Sequence, residues 1–265
     1  MKIRFGRINE SFHQVAAAVV EEVLLRLGHE VEVHEGPHPE MYPKLASGEH
    51  HLFADAWLPG GHAVYWEQVK DAVVEVATLY EDAEFFWAVP GYVPEAEVSS
   101  LRDLAKPEVH AKFPGKVVQG TTSAAGLTMR GDQLLETYGL KEQGWTQPHG
   151  DIYAIIDTIG RRYAAGEWFV TPLWQPMYLN QVYQLRPLTD PEAAFPEPDR
   201  ASLLAHRESW EELPEQTRTA LQKINYRIED VNEMDLLMNQ NKLAPLEAVR
   251  EWTRRHPGRM EAWLA

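Results

Sequence analysis

Cysteine is absent from the 265 residues, which excludes disulfides, thiolate metal ligands and a cysteine nucleophile while leaving the redox compartment open. Cationic residues are scarce: 25 Lys and Arg stand against 40 Asp and Glu, a formal charge of −15. Such a chain is not built to neutralise phosphates, so nucleic acid is not an expected partner. Long apolar runs are missing too. The longest, such as residues 15–20, falls far short of the roughly 20 residues that a membrane helix needs. Internal repeats and low-complexity tracts are lacking. The opening Met1-Lys2-Ile3-Arg4-Phe5 leads straight into a charged strand, with no apolar stretch of signal-peptide length. Two localisations stay open: cytoplasmic, or periplasmic (extracytoplasmic) after removal of a leader.

What is present fits a globular protein. Hydrophobic residues make up 44% and charged residues 25%, which at this length means one large domain or two ordinary ones. Residues 2–34 read as strand, helix, strand, with Ser11 as helix N-cap and Gly28 as its stop. Helix 40–48, strand 52–57, helix 63–70 and strand 73–79 follow, then a dense apolar strand at 84–93. Beyond it the pattern predicts a helix at 98–108, a strand at 116–119, helices at 124–138 and 153–165, and a strand at 168–171. A proline-rich acidic loop spans 187–199, a strand covers 201–206, and three helices complete 210–265. This alternation predicts an α/β protein with mostly parallel sheets, in two lobes.

Histidines crowd the first quarter: His29, His34, His38, His50, His51 and His62. None shows zinc-site spacing, so they are expected to be solvated surface groups and no metal is expected. The segment Gly120-Thr121-Thr122-Ser123-Ala124-Ala125-Gly126 lacks the spacing of a nucleophile elbow or a phosphate loop. It reads either as a well-capped helix start or as a seat for one carboxylate on free backbone N–H groups.

Aromatic residues carry the stronger signal. Trp57 ends a strand before Leu58-Pro59-Gly60-Gly61-His62, and Trp174 stands in Pro172-Leu173-Trp174-Gln175-Pro176. Tyr92, in Pro90-Gly91-Tyr92, is a third aromatic at a strand end. Strand carboxyl ends are where open α/β sheets bind ligands. Aromatic faces are what a quaternary ammonium requires, because it has no N–H to donate.

In order along the chain, Leu45-Ala46-Ser47-Gly48, Asp55-Ala56-Trp57-Leu58-Pro59, Val89-Pro90-Gly91-Tyr92, Ser100-Leu101-Arg102-Asp103-Leu104, Lys106-Pro107-Glu108, Tyr138-Gly139-Leu140, Gly150-Asp151-Ile152-Tyr153, Trp174-Gln175-Pro176 and Val231-Asn232 resemble the glycine betaine-binding proteins of ABC importers, the ProX/OpuAC type. The resemblance implies a two-lobe type II periplasmic-binding-protein fold with two crossing strands, near Ala88–Val89 and residues 201–206. One lobe would comprise residues 1–89 plus 200–265, the other 90–199. It implies a non-enzymatic monomer that needs no cofactor and passes glycine betaine, proline betaine or choline to a membrane permease. Trp57 and Trp174 match two positions of the family's aromatic box. Gly126 and Leu127 match its carboxylate-binding N–H groups, and His62 lies one residue beyond a histidine that sometimes joins them. The chain departs from the family at Ala124-Ala125, where relatives place an aromatic, so Tyr92, Trp87 or Trp145 would have to complete the box. Asp151 either lines the pocket, favouring a cationic ligand such as choline, or caps the helix that follows. Two rivals remain: a small-amine enzyme with His62, His149 or Asp151 as base, and a ligand sensor.

Overall fold

The alternating apolar residues of the amino-terminal third form β1 (Lys2–Ile8), β2 (Glu30–Gly36) and β3 (Leu52–Leu58), joined by α1 (Ser11–Arg26) and α2 (His38–Ala46). The computed structural model describes residues 1–121 and 126–265. After α3 (Ala63–Val69) comes β4 (Val73–Pro90), followed by α4 (Pro107–His110), α5 (Gly126–Thr137), α6 (Ile152–Ala164), β5 (Thr171–Gln175), α7 (Leu179–Val182) and β6 (Leu185–Pro187). The chain closes with β7 (Asp199–His206), α8 (Arg207–Glu212), α9 (Glu215–Lys223), α10 (Ile228–Asn241), α11 (Pro245–Arg255) and α12 (Arg259–Leu264).

Two compact units result. The first comprises Met1–Ala83, Pro176–Leu179 and Pro198–Ala265; the second comprises Glu84–Gln175 and Asn180–Glu197. In the first, the strand order is β2-β1-β3-β7-β4. β1 runs parallel to β2 and β3, whereas β7 is antiparallel to both β3 and β4. One side of this unit is closed by α1, which packs against α10 and α11 with Val15 to Val20 fully buried. Each of the three valines there contributes roughly 1.5–3 kcal/mol. A second apolar cluster joins Met41, Tyr42 and Leu45 of α2 to Phe53, Leu58 and Leu204. In the second unit the far half of β4 pairs antiparallel with β5 and β6. Its core gathers Trp87, Val98, Leu101, Phe113, Leu134, Trp145 and Val170. Among the described residues no helix is long and apolar enough to cross a membrane.

Several expectations are corrected. The sheets are mostly antiparallel rather than parallel, because β7 returns against β3 and β4 instead of continuing the β–α–β progression. The strands expected at 73–79 and 84–93 form one, β4. The polar Glu81-Asp82 break is absorbed by register shifts, with Asp82 at φ 64°. Residues 116–119 make only an isolated bridge between Val117 and Thr146. The helix expected at 98–108 splits into a 3₁₀ turn, Leu101–Ala105, and α4, with Pro107 starting the second piece. The strand placed at 168–171 lies instead at Thr171–Gln175, and five helices rather than three follow β7. Ser11 is the first residue of α1, and Glu10 holds the N-cap position.

Candidate functional site

In the first unit the site residues grow from the end of β3. Asp55 is a carboxylate within the otherwise apolar run Leu52–Leu58 and sits at φ 69°, where the pairing with β7 shifts register. That irregularity places the Asp55 carboxylate in the interior, with no exposure. Such a group is tolerable only if its oxygens are satisfied. Tyr80 Oη donates to Asp55 Oδ1 at 2.7 Å, and His13 Nδ1 lies 2.6 Å from Asp55 Oδ2. The Trp57 indole N–H donates to Tyr80 Oη at 3.0 Å, so the ring is tied through Tyr80 to Asp55. Burial, with the Asp55 charge next, holds the Tyr80 hydroxyl pKa far above its usual value, so it stays a donor at any working pH.

A second arm reaches Trp57 through its backbone. The Trp57 N–H donates to His62 Nδ1 at 3.0 Å, and the His62 N–H returns to the Trp57 carbonyl at 2.8 Å. The two rings lie nearly parallel, 6.3 Å apart, and Phe12 stands 5.6 Å from the indole. Tyr42 Oη is 2.9 Å from His62 Nδ1, and His38 Nε2 is 2.9 Å from His62 Nε2. Burial lowers the pKa of His62 well below the ordinary imidazole value and takes that of His38 to about 3. The loop after Trp57 is held by Asp199, whose carboxylate accepts the N–H groups of Gly60 and Gly61 at 2.5 and 2.7 Å. A side chain at Gly61 would meet Asp199 at 3.0 Å and Trp57 Cβ at 3.3 Å, which accounts for the glycine there.

Of the six histidines expected to be solvated, His50 and His62 are buried and His29, His34, His38 and His51 are half-buried; His13, not among them, is buried as well. Rings from separate elements, Phe12, Tyr42, Trp57 and Tyr65, lie against His13, His38 and His62, something that linear spacing does not reveal. His13, Asp55 and Tyr80 escaped the sequence reading. The signal was the lone carboxylate of β3, two residues before Trp57.

In the second unit Trp174 is buried on β5, opposite Phe85 of β4, and its carbonyl accepts the Asn180 side-chain amide at 2.9 Å. Tyr92 is 40% exposed; its hydroxyl donates to the Glu167 carbonyl at 2.6 Å and its ring rests 5.4 Å from Tyr163. Gly126 and Leu127 begin α5, and Thr128 Oγ1 accepts the Thr121 N–H at 2.8 Å. Ala124 and Ala125, the expected departure, lie outside the described residues. Trp87 and Trp145, considered as replacements, are both core side chains of this unit. Asp151 is exposed and caps α6, accepting the Ala154 N–H at 2.9 Å. His149 is also exposed, 4.0 Å from Asp132.

The fold is that of the two-lobe type II periplasmic binding proteins. The chain belongs to the OpuAC family, the substrate binding domain of ABC-type glycine betaine transport systems, which matches residues 1–255. It is similar to lactococcal OpuAC, solved closed with glycine betaine, with a TM-score of 0.86, 21% identity and coverage of 100% of this chain and 99% of that one. An ABC-transporter choline binding protein in complex with choline gives a TM-score of 0.81 at 18% identity, covering 99% of this chain and 91% of that one. A curated relative, the uncharacterized protein ORF1 of Chromohalobacter salexigens, is 32% identical over 106 residues, which are 39% of this chain and 68% of that protein.

Proposed function

We propose that this protein binds a small quaternary-ammonium osmolyte, glycine betaine, proline betaine or choline, and delivers it to the permease of an ABC importer on the extracytoplasmic side of the membrane. The observation that carries this reading is the family match across residues 1–255. Trp57 and Trp174 are the aromatic faces for the ammonium, whose methyl groups and spread charge are attracted to a ring face by cation–π and dispersion forces. The fixed orientation of Trp57 supports this, since a ring already held in place loses little freedom when ligand arrives. The N–H groups of Gly126 and Leu127, at the positive end of α5, suit a ligand carboxylate. Tyr92, His62 and Asp151 complete the proposed set, with Asp151 favouring a cation over a zwitterion.

Binding rather than catalysis fits the three side chains that an amine-converting enzyme would use as base. The His62 nitrogens already have partners, Asp151 is engaged as a cap, and His149 sits at the surface. Calorimetry against glycine betaine, proline betaine, choline and carnitine at low salt tests the reading. Saturable one-to-one binding of at least one is expected, and failure of all four overturns it.

A further inference from the structure

His13 on α1, His38 at the start of α2 and His62 just before α3 are 25 and 24 residues apart in sequence, yet each offers a ring nitrogen within 4.8 Å of the others. We infer that these three imidazoles bind one divalent transition-metal ion of the zinc type. This goes beyond the osmolyte reading and does not depend on it.

The separations suit such an ion. Two imidazole nitrogens on a tetrahedral zinc, each at about 2.0–2.1 Å, stand about 3.4 Å apart. His38 Nε2 and His62 Nε2 are 2.9 Å apart, so roughly half an ångström of opening admits the metal between them. With three nitrogen ligands and no thiolate, the set favours zinc, cobalt, nickel or copper over calcium and magnesium, which take oxygen ligands.

Asp55 supplies the outer support that histidine ligands usually have. Its carboxylate holds His13 at Nδ1, leaving Nε2 as the coordinating nitrogen, and Tyr80 fixes the carboxylate in turn. The ring neighbours of His38 and His62 are His13, Tyr42, Trp57 and Tyr65, and the two imidazoles meet at their Nε2 atoms.

The hydrogen bonds of His62 specify what changes on loading. When Nδ1 accepts the Trp57 N–H, the ring proton sits on Nε2 and is given to His38. The metal takes that place at Nε2, the ring proton moves to Nδ1, and Tyr42 Oη accepts it at 2.9 Å. The Trp57 N–H loses its acceptor in the exchange, so metal uptake should register in the emission of Trp57. A second cluster, His34, Glu49 and His50, also brings potential ligands together. There, however, Lys44 already pairs with Glu49 at 3.7 Å, and Arg4 lies beside the same loop. That cluster serves as the control.

The test is a Co²⁺ titration of the full chain followed by visible absorption, with Zn²⁺ equilibrium dialysis in parallel. One equivalent with bands of tetrahedral intensity is expected for the native protein. His38→Gln and His13→Gln should each weaken uptake at least about tenfold, while His34→Gln leaves it unchanged. His38 is half-buried at a helix start, so its variant carries the result if His13→Gln fails to fold. No uptake by the native protein overturns the inference. So does uptake that survives in His38→Gln or disappears in His34→Gln.

Discussion

The two units differ in what they bury around their tryptophans. Among the described residues, every buried Asp, Glu, Arg and His side chain belongs to the first unit: Arg7, His13, Glu22, His50, Asp55, His62, Asp199, Asp230 and Asp235. In the second unit the buried polar side chains are the hydroxyls of Thr128 and Thr171, and the core is aliphatic and aromatic. Trp57 is aimed by hydrogen bonds that are directional and costly to break, while Trp174 stands on a strand paired with β4. Orientation set by buried polar groups is sensitive to single-atom changes and to pH; orientation set by packing responds mainly to volume.

The contrast breaks most sharply at Asp55. Asp55→Ala leaves the His13 Nδ1 and Tyr80 Oη donors without their acceptor in a dry site, and should cost roughly 3–5 kcal/mol of stability, read by urea denaturation. No single polar deletion in the second unit should approach that loss, and an equal loss in Thr171→Val would erase the distinction.

Asp235 shows the pH side of the same difference. Burial raises its pKa from 3.8 to about 6, against the opposing effect of hydrogen bonds from Ser11, the Tyr178 N–H and Asn239. A carboxyl whose folded pKa lies above the unfolded one binds more protons in the native state. Its contribution to stability is therefore fully present below pH 3.8 and is lost as pH rises to about 6. Asp235→Asn should gain on the native protein by roughly 2–3 kcal/mol as pH rises across that window and then level off, measured by denaturation at stepped pH. A flat difference would show that Asp235 titrates alike in both states.

Trp57→Ala and Trp174→Ala should each weaken osmolyte binding by roughly 1–3 kcal/mol in calorimetry. Trp57→Ala should also leave Tyr80 Oη without the indole donor. Native affinity in either variant removes that ring from the proposed box. The smallest effect is expected at Asp151, where replacement by Ala should cost about 1 kcal/mol of stability through the lost cap. A loss of choline affinity larger than that of glycine betaine would add a role in the ligand site.

Much of this was legible in the sequence, for local reasons. The order of strands and helices through α3 follows the periodicity of apolar residues and stop signals such as Gly28. The cap at Asp151 follows from its place before an apolar run. Trp57 and Trp174 stood out because each falls near a strand end beside a proline. Strand direction was not legible, since nothing in residues 199–206 states that they lie antiparallel to β3 and β4. Nor was the gathering of His13, His38 and His62, which depends on how α1, α2 and the loop after β3 pack. Asp55 was the missed local clue, a charge in a strand with no other polar side chain.

The segment that follows Trp174 bears on how the protein can be taken apart. Pro176–Leu179 belongs to the first unit, where the Asn232 side chain accepts the Met177 N–H at 2.7 Å and Asp235 accepts the Tyr178 N–H at 2.8 Å. The chain then rejoins the second unit at Asn180, whose side chain bonds the Trp174 carbonyl. The second unit is thus not a cassette inserted once into the first, but a piece stitched through it in mid-course. Excised as residues 84–197, it would carry Met177 and Tyr178 without the α10 side chains that hold them, and the excised first unit would lack the stretch of chain that α10 grips. Grafting the Trp174 loop onto another scaffold therefore means transplanting Asn232 and Asp235 with it.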